Sequence, residues 1–327
     1  MSAHAAPQFD GQAAIDPTTI GLDFLWLEIT PRCNLNCVHC YADSDMSRAL
    51  HGKLALEDWL SLLQQAAQLG CKKVQFIGGE PTLHPGLRRM IEEAHRLEFQ
   101  MIEVYTNGTH FTRELKQVFK DKDVCLAFSV YAADGDTHDL VTGHRGSFGR
   151  TTTSLRWAVG AGLNVRVGVV EMDANRDQFE STRKWLRQEG VQSIKVDRVR
   201  GIGRGVKAVA VDSQMAELCG SCWRGSLCVC ADGQVYPCVF SRFYPVGEVN
   251  WGLASIASNG RLMSFRRDLM AMNAMSSAPP PLGYDAACGP QCDPKATCGP
   301  QCNPKVTCGP QCDPKATCAP QCNPKAS

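Results

Sequence analysis

From residue 23 to about 200, short apolar runs alternate with longer stretches whose apolar residues recur at helical spacing. The runs Phe24–Ile29, Val74–Ile77, Met101–Tyr105, Val124–Val130, Val165–Val170 and Ile194–Val196 read as strands. Leu56–Leu69, Leu87–Leu97, Arg113–Phe119, Thr152–Ala161 and Arg176–Gln188 read as helices. The first, fourth and last of these run into Gly70, Gly162 and Gly190, which suit helix C-termini. Such alternation predicts an α/β fold with parallel strands and crossover helices. Six strand–helix units are too few for a complete eight-unit barrel.

The pattern changes after residue 200. Gly201-Ile202-Gly203-Arg204-Gly205 is a glycine-rich bend and reads as a domain boundary. It lacks the G-x-G-x-x-G spacing of a nucleotide-binding turn. Leu227–Cys230 and Val235–Cys238, around Ala231-Asp232-Gly233-Gln234, read as a hairpin. Leu262–Met272 reads as a helix and Ser276–Leu282 as a Ser/Pro linker. From Cys288 onward a Cys/Pro unit recurs four times with a period of ten. Its prolines exclude helix and central strand, and it has no apolar face, so without a ligand the tail is expected to be disordered. The expected organisation is an arm (1–22), a strand–helix domain (23–200), a cysteine-rich α+β extension with linker (201–287) and the repeat tail (288–327).

Composition narrows the chemistry. A net charge of +1 over 327 residues gives no reason to expect nucleic acid or an anionic membrane as partner. No apolar stretch is long enough to span a bilayer. The first twenty residues lack a basic start and an apolar core, so the expected location is cytoplasmic. In that setting the 18 cysteines read as metal or redox ligands rather than disulfides.

Three of them, Cys33, Cys37 and Cys40, form a C-x-x-x-C-x-x-C loop directly after the first strand. Three thiolates are one too few for the four irons of a cubane cluster, so one iron keeps an open position. A zinc knuckle or redox dithiol is the alternative, but the paired C-x-x-C halves of zinc sites are missing. After the second strand comes Gly78-Gly79-Glu80-Pro81. Glycines allow close backbone approach, and a carboxylate suits an ammonium group. Tyr105-Thr106-Asn107-Gly108 ends the third strand and Ser129 the fourth, the ends where β/α barrels gather their active sites.

Together the two motifs resemble those of the radical S-adenosylmethionine (radical SAM) enzymes. The resemblance implies an open six-unit (β/α) barrel. It implies that Cys33, Cys37 and Cys40 hold a [4Fe–4S] cluster, and that Gly78, Gly79, Glu80 and Pro81 hold the amino group of SAM. Reductive cleavage of SAM would give a 5′-deoxyadenosyl radical that takes hydrogen from a substrate, with reduced flavodoxin or ferredoxin as electron donor. Tyr41 stands where the family has an aromatic residue near adenine. Asn107, Ser129 and Arg145 are candidate contacts to the SAM ribose and carboxylate. His39 reads as a spacer, and no general base can be named, although Glu171 and Asp197 lie near strand ends.

A second set, Cys219 and Cys222 with Gly233 and Cys238, resembles the start of the SPASM extension, which carries auxiliary iron–sulfur clusters. Its later ligands would come from the tail, through Cys288, Cys292, Cys298 and Cys302, although the first tail spacing is one residue too long. The tail also admits a slipped repeat in which only one or two units matter, or a soft-metal or docking tail, and Cys219–Cys238 admits a single zinc. Lone Cys71 and Cys125 read as small buried hydrophobes.

SPASM-bearing enzymes commonly modify peptides, so the leading expectation is a peptide maturase. With about twenty residues before the first strand, a leader peptide would dock on the barrel or on a separate leader-binding protein. The alternatives are a radical SAM enzyme acting on a sugar, nucleoside or amino acid, and a metal-binding scaffold.

Overall fold

The computed structural model describes residues 16, 19–208 and 213–275. The Ser/Pro linker and the tail with Cys288, Cys292, Cys298 and Cys302 lie outside the described residues, as does most of the 1–22 arm.

Six parallel strands follow one another in chain order: β1 (Phe24–Glu28), β2 (Lys73–Ile77), β3 (Met101–Thr106), β4 (Cys125–Ser129), β5 (Val165–Glu171) and β6 (Ser193–Arg198). Helices α1 (Leu56–Gln68), α2 (Leu87–Arg96), α3 (Arg113–Asp121), α4 (Gly135–Thr142), α5 (Ser147–Gly160) and α6 (Phe179–Gln188) lie between them in the chain. The expected elements are present within a few residues, and α4 is an addition. Its sequence GDTHDLVT carries no clear apolar stripe. It is set instead by its ends: the Asp134 carboxylate accepts from the Thr137 N–H at 2.9 Å, and Gly143 closes the helix at φ +65°.

The two faces of the sheet differ in chemistry. Leu25, Leu27, Val74, Phe76, Ile102, Val104, Leu126, Phe128, Val167 and Val169 join one buried apolar cluster with Trp59, Leu62 and Leu63 of α1 and Leu87, Met90 and Ile91 of α2. Alternation along a strand turns Trp26, Gln75, Glu103, Tyr105, Ser129, Arg166, Lys195 and Asp197 the other way. On that face Arg166 and Glu103 form a buried bidentate ion pair of 2.7 and 2.8 Å, and Gln75 donates to the same carboxylate. A buried ion pair is a poor stabiliser compared with packed hydrocarbon, so this polar floor has to be explained by something other than packing.

The chain after residue 200 extends the same sheet. The expected hairpin forms as β7 (Ser226–Cys230) and β8 (Gln234–Tyr236), followed by the short β9 (Gly247–Glu248). β7 pairs in parallel with β1, placing Trp26 opposite Cys228 and Glu28 opposite Cys230. Two further helices, α7 (Leu253–Ala257) and α8 (Gly260–Met275), follow. Among the described residues no helix is long and apolar enough to cross a membrane.

Candidate active site

The pairing of β1 with β2 continues past the strand ends and builds the site. Ile29 N–H donates to Ile77 C=O at 3.0 Å, Gly79 N–H to Thr30 C=O at 2.7 Å and Glu80 N–H to Arg32 C=O at 2.8 Å. Gly78 has φ +148°, and a Cβ on it would sit 2.5 Å from the Thr30 carbonyl oxygen. A Cβ on Gly79 would overlap the Arg32 carbonyl and lie 2.9 Å from the Cys33 nitrogen. The glycine pair is therefore required first by contact between two backbones. It fixes the cysteine loop against β2.

Glu80 is fully buried, and its carboxylate is already engaged. Oε1 accepts from Thr82 N–H at 3.1 Å, Thr82 Oγ1 at 2.6 Å and Thr106 Oγ1 at 2.6 Å, while Oε2 accepts from Asn107 N–H at 2.7 Å. Burial pushes the carboxyl above its ordinary value, and these donors oppose the shift. The carboxylate-to-ammonium pairing suggested by residue type is thus not what the geometry offers. Glu80 ties the ends of β2 and β3 together, and Gly78 and Gly79, not Glu80 or Pro81, line the cavity. Pro81 is buried and opens a short 3-10 turn.

Cys33, Cys37 and Cys40 all line that cavity. N–H donors face two of the sulfurs: Leu35 N–H lies 3.4 Å from Cys33 Sγ and Ser44 N–H lies 3.5 Å from Cys40 Sγ. Asn107 Nδ2 lies 3.7 Å from Cys33 Sγ. Burial is the main reason the Cys33 thiol is pushed up and the Cys37 thiol reaches about 12. Three converging thiols, with Cys33 and Cys37 kept from ionising by burial, suit a cationic iron centre, which stabilises thiolate where water does not. The residues fit a three-cysteine cluster site.

Arg204, from the glycine-rich bend, clamps this loop. Its guanidinium donates to Cys37 C=O at 2.8 Å, Ser44 C=O at 2.8 Å and the Asp43 carboxylate at 2.9 Å, and its N–H donates to Cys40 C=O at 2.9 Å. Gly203 has φ +57°, and a Cβ there would overlap the carbonyls of Cys40 and Tyr41. The bend thus holds the later part of the cysteine loop, Cys37 to Ser44, while Gly78 and Gly79 hold its start at Thr30 to Cys33. Residue type gives no hint of this role, because the contact spans more than 160 positions of sequence.

The cavity, about 210 Å³, touches residues of all six parallel strands, so the sheet curls around it. Tyr41, Asn107 and Ser129 line it. Tyr41 packs edge-on against Phe240 with centroids 5.4 Å apart, and Arg242 sits 5.4 Å over its ring. Arg145 is not brought there. It is exposed in the turn between α4 and α5, a position set by the extra helix. The arginines at the cavity are Arg166, Arg198 and Arg200. Arg200 pairs at 2.6 Å with Asp197, which also lines the wall. Glu171 is absent from the lining and pairs with Arg176 at 3.4 Å.

His39, read as a spacer, does line the cavity. Its ring meets Tyr131 edge-on at 4.9 Å, and Nδ1 is buried with no hydrogen-bond partner among the described residues. Burial, then the nearby Arg204 charge, lowers its pKa to about 4 and keeps it neutral. The missed wall residues Trp26, Gln75, Arg166 and Lys195 did leave a signal: aromatic or polar residues alternating with aliphatics within a strand.

Away from the cavity, Cys222 Sγ lies 2.9 Å from Cys238 Sγ, and Cys219 interacts with the same thiol. The three cysteines singled out by spacing therefore come together. Cys71 and Cys125 are buried, as read.

Residues 27–186 match the family model described as the Radical SAM superfamily. The cysteine loop at the head of a curled parallel sheet agrees with that match. Residues 27–186 form a radical SAM domain. The chain is 23% identical over 256 residues to the antilisterial bacteriocin subtilosin biosynthesis protein AlbA of Bacillus subtilis, covering 68% of this chain and 56% of the relative. It is 30% identical over 169 residues to a GTP 3′,8-cyclase of Petrotoga mobilis, covering 50% of this chain and 51% of the relative. The chain thus spans about half the length of these curated relatives. The fold matches that of Streptococcus suis SuiB bound to S-adenosylmethionine, with a TM-score of 0.64 at 14% identity, over 76% of this chain and 68% of SuiB. Radical SAM enzymes use a [4Fe–4S] cluster and SAM, the cofactors that three converging cysteines imply.

Proposed function

We propose that this radical SAM enzyme modifies a ribosomally made peptide, installing a crosslink, a thioether or a related oxidative change. The observation that carries the reading is the convergence of Cys33, Cys37 and Cys40 on one cavity, together with a second thiol set in the segment that continues the sheet. The names of similar proteins support it: AlbA is a bacteriocin biosynthesis protein, and SuiB was crystallised with a precursor peptide, SuiA.

In this reading Cys33, Cys37 and Cys40 hold the cluster. With SAM bound beside it, such a cluster would supply the one-electron reduction of SAM and the hydrogen-abstraction chemistry that follows. The chain's own residues position and protect. The Gly78 and Gly79 backbone forms the edge that receives the methionine amino group. Asn107, held by the Glu80 carboxylate through its N–H and by Asn34 Oδ1 at 2.9 Å, presents its amide beside Cys33. Ser129 and neutral His39 offer uncharged polar atoms to the nucleoside. Tyr41 and Phe240 close the wall against water. Cys219, Cys222 and Cys238 would hold an auxiliary cluster, and an external one-electron donor would supply the electrons.

The test is mass spectrometry of short peptides encoded beside the gene, after incubation with the anaerobically reconstituted enzyme, SAM and reductant. The reading expects a peptide to lose two hydrogens per crosslink. SAM cleavage with every such peptide unchanged would overturn it. The similarity to a GTP cyclase favours a second reading, a small-molecule substrate, and that outcome would select it.

A further inference from the structure

One buried group of side chains has no part in the chemistry above. The parallel pairing of β1 and β7 sets Glu28 beside Cys230, and alternation turns Cys228 to the same face. A carboxylate oxygen of Glu28 and the sulfurs of Cys228 and Cys230 all lie within 4.8 Å of one another. The three residues are 5%, 0% and 4% exposed. Arg242 donates to the Glu28 carboxylate, and its Nη1 lies 3.7 Å from Cys230 Sγ. On the opposite face of the same two strands, Leu25, Leu27, Leu227 and Val229 fill the space with hydrocarbon. A buried acid in such a joint costs stability unless something uses it.

We propose that Glu28, Cys228 and Cys230 form a binding site for a single divalent cation of the zinc type. Two sulfurs and one carboxylate oxygen are a normal donor set for such an ion, with water completing a tetrahedron. The charges close: two thiolates and a carboxylate are balanced by the Arg242 guanidinium and the divalent ion. The protons close as well, since binding releases the two thiol protons to solvent. The group is separate from Cys219, Cys222 and Cys238, which meet one another instead. Its place suggests a purpose. The ion ties β7 to β1, where the segment after residue 200 joins the sheet. This site does not depend on the peptide-maturase reading.

The experiment is a Co²⁺ titration of the full-length, reduced, metal-free chain, followed by thiolate-to-cobalt absorption. Cys228→Ser/Cys230→Ser should bind one equivalent less than the unsubstituted chain. Cys33→Ser/Cys37→Ser/Cys40→Ser should retain that equivalent. Glu28→Gln keeps the size of the side chain, and so serves if the double variant fails to fold. It should weaken one equivalent about tenfold or more. Unchanged stoichiometry and affinity in the folded variants would overturn the site and leave Arg242 as the counter-charge to Glu28.

Discussion

The two sets of three cysteines in this chain are built differently. Cys33, Cys37 and Cys40 are spread along a loop and open onto a cavity. The loop is held at its start by the Gly78–Gly79 backbone and further along by Arg204. Cys219, Cys222 and Cys238 face one another, and none lines the cavity; Cys222 and Cys238 are buried. Sulfur ligands that border empty space can share a metal centre with a second molecule. Ligands that face one another away from the cavity can store charge or brace the fold. Reactivity here belongs to what surrounds the thiols, not to the thiols themselves.

The comparison can be broken outright by removing each set in turn. Cys33→Ala/Cys37→Ala/Cys40→Ala should reduce SAM cleavage to background yet keep iron bound by the other cysteines. Cys219→Ala/Cys222→Ala/Cys238→Ala should lose iron but still cleave SAM. Iron and sulfide analysis beside a cleavage assay decides it, and equal loss of cleavage in both variants would erase the distinction.

The clamps give smaller effects. Gly79→Ala forces a Cβ into the Arg32 carbonyl, and such overpacking should cost about 1–3 kcal/mol in thermal or denaturant unfolding, together with poor cluster incorporation. Arg204→Met removes the charged donor to Cys37 C=O, Ser44 C=O and Asp43. A loss of about 2 kcal/mol is expected, with faster iron release to a chelator. Glu80→Gln can keep the three bonds at Oε1 only by turning an NH₂ toward the Asn107 N–H. That opposed pair of donors should cost about 1–3 kcal/mol and weaken SAM binding, measurable by calorimetry.

The smallest effect is acid sensitivity. Burial lowers His39, His84 and His138 from 6.5 to about 4, so the fold holds them neutral. Their contribution is complete above pH 6.5 and is lost as pH falls toward 4. Unfolding midpoints should therefore drop over that window, and His39→Gln should flatten part of the slope.

Much of this was legible in the sequence because the strands carry an apolar face that must be buried. Phe24–Ile29 and Val74–Ile77 could hardly be anything else, and motifs placed directly after them had to lie at one end of the sheet. What could not be read was long-range. No local pattern shows that Ser226–Cys230 would add to β1 rather than stand apart, because that pairing joins residues about 200 apart. Arg204 looks like one more charge in a flexible bend. α4 is set by its caps rather than a stripe, so Arg145 was expected nearer the cavity than it lies. His39 passed as a spacer because a histidine between ligands says nothing about which way its ring turns.

The most direct measurement is the formation of 5′-deoxyadenosine by the full-length chain, reconstituted anaerobically with iron and sulfide and reduced with dithionite in the presence of SAM. A three-cysteine cluster opening onto the cavity predicts steady formation of 5′-deoxyadenosine that vanishes in Cys33→Ala/Cys37→Ala/Cys40→Ala. An iron-loaded wild-type chain that makes none, or a triple variant that makes as much, would contradict it.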